Sequence, residues 1–342
     1  ISRTEPGYST KDWKQFAELG LMAAPLPEAY GGLGGGPIDT MVLMEEFGKA
    51  LVVEPYVSTV VVGGGFFNHG GSEAQKQEWL NKIAAGETII AFAFAEAQGR
   101  YNFADLTTTA KKNGSGYTVS GQKAVVLGAP WADALIVTAR TAGGQRDAKG
   151  VSVFVVDKKA KGVATRDYPT IDGLHASEVT FENAPATLIG TADDGLKLIE
   201  QVTDEAIAAH ASEAVGAMRV LVNATVEYSK TRKQFGVPIG KFQVLQHRMV
   251  DMFMNAEQSA SITYMVTLKL GEGEVERKKA ASAAKVQIGK AGRFVGQQAV
   301  QIHGGMGMTD ELNVGHYFKR LTMLDTLYGN VDHHLKRYAE LG

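Results

Sequence analysis

The hydrophobic period of this chain changes twice, and those changes constrain its architecture more than any single motif does. Up to about Gly86 the apolar residues recur at helical spacing between glycine-rich breaks. Trp13, Phe16, Ala17 and Leu21 mark one face, Met41, Met44 and Phe47 another with Leu43 beside it, and Trp79, Leu80 and Ile83 a further one. From Thr88 to about Ala186 the period becomes that of strands, opened by Ile89, Ile90, Phe92 and Phe94. Asn113-Gly114-Ser115-Gly116 reads as a hairpin turn before Tyr117-Thr118-Val119. Ala124 to Leu127, Ala134 to Thr138, Val151 to Val156 and Glu178 to Phe181 continue the pattern, so six or seven short strands suggest a barrel or sandwich. After Gly195 the chain is helical again. Ile207, Ala211, Val215 and Met218 share a face, as do Phe242, Leu245, Met249 and Phe253. Gly271 and Gly273 break the run, a third helix follows from about Val275 to Ile302, and a shorter fourth completes a four-helix bundle. The expected class is α+β in three domains: helical (1–87), β (88–195) and helical bundle (196–342).

A chain of 342 residues, 44% of them hydrophobic, can bury a large core. Its net charge of −2 gives no reason to expect nucleic acid or an anionic membrane surface as a partner. It contains no cysteine, which rules out disulfides, thiolate metal sites and a cysteine nucleophile within it and fits a reducing cytoplasm. No apolar run reaches the length of a membrane span. The glycine run Gly31 to Gly36 lacks the Lys-Ser/Thr of a phosphate loop and follows no strand, so it reads as a flexible turn. His333 and His334 are adjacent and point to different helix faces, which is not metal-ligand spacing; a solvated or interfacial role is expected.

The densest cluster of chemistry lies at Tyr228 to Met252. Two amphipathic helices meet there at a Gly-Pro corner carrying Arg232, Lys233, Gln234 and Phe235. A guanidinium and a flat ring on one turn suit a ligand with a diphosphate and an aromatic system, because Arg pairs with phosphate oxygens through a bidentate fork. A basic helix end serving only the helix dipole is the plainer alternative. The pattern YxxxRxQFGxPIxxFQ resembles the C-terminal signature of the acyl-CoA dehydrogenases, flavoenzymes that desaturate acyl-CoA thioesters. QIHGGMG at Gln301 to Gly307 resembles the family's flavin-contacting QxxGGxG loop, PEAYGG at Pro27 to Gly32 its early turn, and NAPATLIG at Asn183 to Gly190 the exit from its middle domain. The order helices, strands, helices agrees with that fold, against which the chain begins part-way into the first helical segment.

The resemblance implies FAD as electron sink and an acyl-CoA substrate. Arg232, Gln234 and Phe235 would contact the FAD of a neighbouring subunit, and Gln301, His303, Gly304 and Gly305 would form the loop against its adenosine half. It therefore implies a homodimer or homotetramer, or a heteromer with a homologous large subunit, and an electron-transfer acceptor. Desaturation also needs a base for the α-proton and donors for the enolate-like oxygen.

Here the chain departs from the family pattern. The TEPxxGSD segment is AEAQGRYN at Ala95 to Asn102, with Glu96 retained, and the Trp-x-Thr pair that packs on the flavin ring falls on Val125 and Leu127. The usual Glu of Tyr-Glu-Gly is Tyr328, a phenol with an ordinary pKa of about 10. A branched-chain subfamily places its Glu where Ala206 stands, beside Glu205. Glu213, two turns on, either points into an acyl cavity or is a satisfied buried carboxylate; Asp325 is a weaker candidate. Glu205, Glu213 and Tyr328 are thus the candidates for the base. AEAQGRYN and the ending LYGNVDHHLKRY are most like the small subunits of pimeloyl-CoA dehydrogenase, which pair with a larger homologue. Two other readings are a catalytically silent subunit that lends FAD contacts to an active homologue, and a flavin monooxygenase or oxidase on the same fold.

Overall fold

A computed structural model describes residues 6–342. Contact density divides the chain into two compact units, Ile1–Asp39 with Val53–Ala206, and Thr40–Val52 with Ile207–Gly342.

In the first unit, α1 (Thr10–Glu18) starts at Ser9, whose hydroxyl accepts from the Asp12 amide, and α4 (Glu73–Ala84) starts in a reciprocal capping box between Ser72 and Gln75. α2 (Pro37–Ala50) and α3 (Gly64–Gly70) lie between them in sequence. Seven strands follow: β1 (Ile90–Ala93), β2 (Thr109–Asn113), β3 (Gly116–Leu127), β4 (Ala134–Arg140), β5 (Val151–Asp157), β6 (Val163–Pro169) and β7 (His175–Ile189). The β2–β3 hairpin turns where the sequence reads Asn113 to Gly116, with those two residues paired across it. β4 pairs with β2 on one side and β5 on the other, and β5 reaches back through β7 and β3 to β2. That ring of five strands is a closed barrel, with β1 added parallel to β4 and β6 antiparallel to β7. β4 is buried at every residue and β5 at all but the last, which makes them continuous apolar runs rather than alternating ones.

In the second unit, α5 (Leu196–Thr231, from Ile207 onward), α6 (Gln243–Lys269), α7 (Glu274–His303) and α8 (Val314–Thr326) form the four-helix bundle. Its core joins Val215, Met218 and Leu221 of α5 to Met252, Ile288, Val295, Tyr317 and Leu321. The expected single terminal helix is two, α8 and α9 (Val331–Glu340), because Tyr328 and Gly329 both adopt positive φ between them. The second half of α2 packs with this unit at backbone contact. A Cβ on Gly48 would lie 2.0 Å from the Glu213 carbonyl oxygen, and one on Gly216 2.0 Å from that of Glu45. No side chain larger than hydrogen fits at this crossing. Gly216→Val is expected to destabilise the chain by about 3 kcal/mol, read as a lowered urea midpoint.

Candidate functional site

The corner after α5 is a two-residue hairpin. β8 (Lys233–Gln234) pairs with β9 (Val237–Pro238), and Phe235 and Gly236 both take positive φ, as the tight reversal requires. The turn leaves Phe235 93% exposed, with Arg232 and Gln234 exposed beside it. A large ring held in a left-handed conformation and presented to solvent is costly unless something else covers it. Arg232 makes no ion pair among the described residues.

The second motif lies against the first. The Tyr228 ring stacks on His303 with centroids 4.3 Å apart, and the Tyr228 hydroxyl donates to the His303 carbonyl at 3.3 Å. Of the residues expected in the adenosine loop, His303 turns its side chain inward. Its ring is buried, with Nδ1 2.8 Å from the Ala299 carbonyl, so its side chain joins the two motifs instead of facing outward. Gln301, Gly304 and Gly305 are exposed. Among the described residues, a Cβ on Gly304 or Gly305 would meet no atom within 4 Å beyond its own neighbours along the chain, and Gly304 has φ +60°. Internal packing does not demand glycine at Gly305, so the open backbone suits the close approach of something outside the chain. These features fit a dinucleotide: a free guanidinium for phosphate, an exposed ring for stacking, and bare backbone for close contact.

The three base candidates are placed very differently. Glu205 is half-buried in the first unit, and its Oε1 lies 2.7 Å from Nε2 of His69. Glu213 is the satisfied buried carboxylate of the two alternatives. Arg320 of α8 donates Nε to Oε1 and Nη2 to Oε2, the latter at 2.9 Å, while Nδ1 of His210 lies 3.0 Å from Oε2. Burial opposes its charge, but Arg320 and His210 outweigh burial and hold its pKa at about 2. Tyr328 is half-buried, packed against the cluster of Ile207, Ala208, Val266 and Ala281, and its ring stacks on His210 at 6.1 Å. Burial raises the pKa of its phenol further.

Several buried cations escaped the sequence reading, Lys285 among them. Lys285 of α7 donates to the carbonyls of Leu324 and Asp325 at 2.5 and 2.9 Å, a positive charge at the C-terminal end of α8. Asp325 is buried and pairs with Arg293 at 2.8 Å. His334 corrects the expectation of a solvated or interfacial histidine pair. It is buried, with ring nitrogens 3.2 Å from the Ser282 hydroxyl and 3.1 Å from the Tyr328 carbonyl, and burial lowers its pKa to about 2.

The Glu213 network has a pH signature. Its pKa is depressed on folding from about 4.5 to about 2, so its contribution to stability is complete above pH 4.5 and disappears as pH falls toward 2. The loss expected is about 3 kcal/mol, read as a falling urea midpoint across that window. In the Arg320→Met/Glu213→Leu double variant this part of the acid sensitivity should be absent.

Models of the three domains of the acyl-CoA dehydrogenases match along the chain: the N-terminal domain over residues 2–87, the middle domain over 91–184 and the C-terminal domain over 193–340. A probable acyl-CoA dehydrogenase, YngJ of Bacillus subtilis (strain 168), is 31% identical over 316 residues, covering 90% of this chain and 83% of its own. The chain belongs to the acyl-CoA dehydrogenase family. Among solved members of similar fold, the G363A variant of the Tcur3481-Tcur3483 steroid ACAD superposes with a TM-score of 0.90 at 27% identity, over 99% of this chain and 90% of that one. The FAD complex of PigA superposes with a TM-score of 0.90 at 25% identity, over 97% and 89%. The family's members are FAD-dependent dehydrogenases of acyl-CoA-like substrates, and the corner and glycine loop fit that cofactor. No helix among the described residues is long and apolar enough to cross a membrane.

Proposed function

We propose that this chain holds FAD for the α,β-desaturation of an acyl-CoA thioester as the smaller partner of a homologous large subunit that supplies the base. One observation carries the reading. The position of the family's usual Glu is a half-buried phenol, Tyr328, and the carboxylate linked to it through His210 is pinned by Arg320. A general base must be ionised with a pKa near the working pH. Glu213, held at about 2, is a feeble proton acceptor, and Tyr328 stays protonated. FAD, when bound, supplies the hydride acceptor that no side chain can be. The chain's own part is to bind and orient it. Arg232 meets phosphate, Phe235 offers a ring face, and Gln301 with the Gly304–Gly305 backbone accepts the adenosine half. The AEAQGRYN segment and the LYGNVDHHLKRY ending support a pimeloyl-CoA dehydrogenase small subunit, and so a dicarboxylyl-CoA substrate and a cytoplasmic setting. A two-component steroid ACAD among the structural relatives is in keeping with a heteromer.

The Glu205–His69 contact favours a second reading, in which Glu205 is the base and the protein is a homodimer or homotetramer. Anaerobic mixing of flavin-loaded protein with an acyl-CoA separates the two. Under the first, the chain alone leaves the flavin yellow and the large subunit restores bleaching. Under the second, the chain alone bleaches it, and Glu205→Gln slows bleaching about a thousandfold, within the range for loss of a catalytic base. Turnover of oxygen with reduced flavin, and no bleaching by thioesters in either arrangement, would point instead to an oxidase or monooxygenase.

A further inference from the structure

We propose that the buried Glu96–Lys123 pair of the barrel is a positioning device that fixes the bulge at Val125 and the backbone it presents. Its purpose, holding a wall for the flavin ring, rests on the FAD reading above; its geometry does not.

Both side chains are almost wholly inaccessible. Glu96 collects five donors. Its Oε2 accepts from the Thr107 amide at 2.7 Å, the Thr107 hydroxyl at 2.5 Å and the Gln98 amide group at 2.8 Å. Its Oε1 accepts from the Thr108 amide at 3.1 Å and from Lys123 at 2.8 Å. Lys123 donates further to the Phe94 carbonyl at 3.3 Å and the Thr138 hydroxyl at 3.1 Å. One ammonium thereby ties β3 to β4 and to the residue after β1, and one carboxylate ties the same point to the start of β2.

The strand becomes irregular immediately after Lys123. Lys123 pairs with Val179 and Val126 with Ser177, so Ala124 and Val125 together oppose Glu178 alone, a bulge. The Ala124 amide donates to the Ala95 carbonyl at 2.8 Å, which stitches the bulge to the residue before Glu96. Val125 sits at φ 51° and is 50% exposed. A β-branched residue in the left-handed region is strained and persists only where its surroundings over-determine it. Stability alone does not call for ions here, since apolar side chains of similar volume often replace a buried pair without loss. What directional bonds add is a fixed place for the backbone at 124–127, where the family resemblance puts the ring-packing residues, Val125 and Leu127.

The decisive comparison is Glu96→Gln/Lys123→Met, which removes both charges while leaving a carbonyl oxygen for the Thr107 amide and hydroxyl. Relative to Lys123→Met alone, the double variant should recover most of the urea midpoint. At that restored stability, amide hydrogen exchange at residues 124–127 should be at least about tenfold faster than in the unaltered protein, as local opening implies. In the purified, flavin-loaded assembly the flavin absorption band should shift and the FAD dissociation constant rise about tenfold. Unchanged exchange together with an unchanged flavin band overturns the proposal. Should the double variant fail to fold, Thr138→Val removes one tie of Lys123 without touching charge and should move exchange in the same direction; no change there also overturns it. If the unaltered assembly takes up no FAD, the cofactor reading fails separately, and the exchange result still decides whether the pair fixes the bulge.

Discussion

Arg320→Met is expected to destabilise the helical unit by about 4 kcal/mol, within the range for removing one partner of a buried ion pair. Glu213 is buried, and two of the contacts that satisfy its oxygens come from the one guanidinium. With Arg320 gone, the contact left to the carboxylate among the described residues is His210 at 3.0 Å, whose own pKa is lowered by burial. Either an unpaired charge stays buried or the group binds a proton on folding, and both costs appear at neutral pH. The double variant Arg320→Met/Glu213→Leu should recover most of the loss. Equilibrium urea unfolding of the three variants checks this, and a midpoint unchanged by Arg320→Met alone would contradict the network described.

A comparably large effect is expected on cofactor affinity. Arg232→Ala/Phe235→Ala should weaken FAD binding by about a hundredfold, because a charge-assisted phosphate contact and a stacking face together contribute about 3 kcal/mol. Both side chains are exposed, and Phe235 is 93% so, which separates this prediction from folding. The urea midpoint should stay where it was while flavin fluorescence titration shows the loss. Unaltered FAD affinity would show that the corner is no half-site, whatever the rest of the chain does.

The architecture was largely legible because burial writes itself into period. Ile90 and Phe92, the Asn113 to Gly116 turn, and the α5 face of Ile207, Ala211, Val215 and Met218 all lie where the pattern placed them. Closure of the barrel was not legible, since β4 meets both β2 and β5 through pairings between residues far apart in sequence. The corner and the glycine loop were legible as motifs, but their joining by Tyr228 and His303 was not. Buried cations hide best. Lys123 and Lys285 carry no mark of burial in sequence, and only the partner found in three dimensions distinguishes them from solvated charges. The same blindness left Glu213 open between a place in the acyl cavity and a satisfied buried carboxylate, since nothing in the sequence puts Arg320 beside it.

The α2–α5 crossing at Gly48 and Gly216 bears on the order of synthesis. Residues 40–52 leave the ribosome before the barrel, yet the helices that receive them, from Ile207 onward, come after it. At ordinary elongation rates the wait is about ten to thirty seconds. During it Met44 and Phe47, buried in the finished chain, have no partner from their own unit. A fragment cut between the barrel and α5 would inherit the same defect: residues 196–342 alone lack the segment that fills the groove at Gly216. Supplying residues 37–52 as a peptide should restore to such a fragment a cooperative unfolding transition that it lacks by itself.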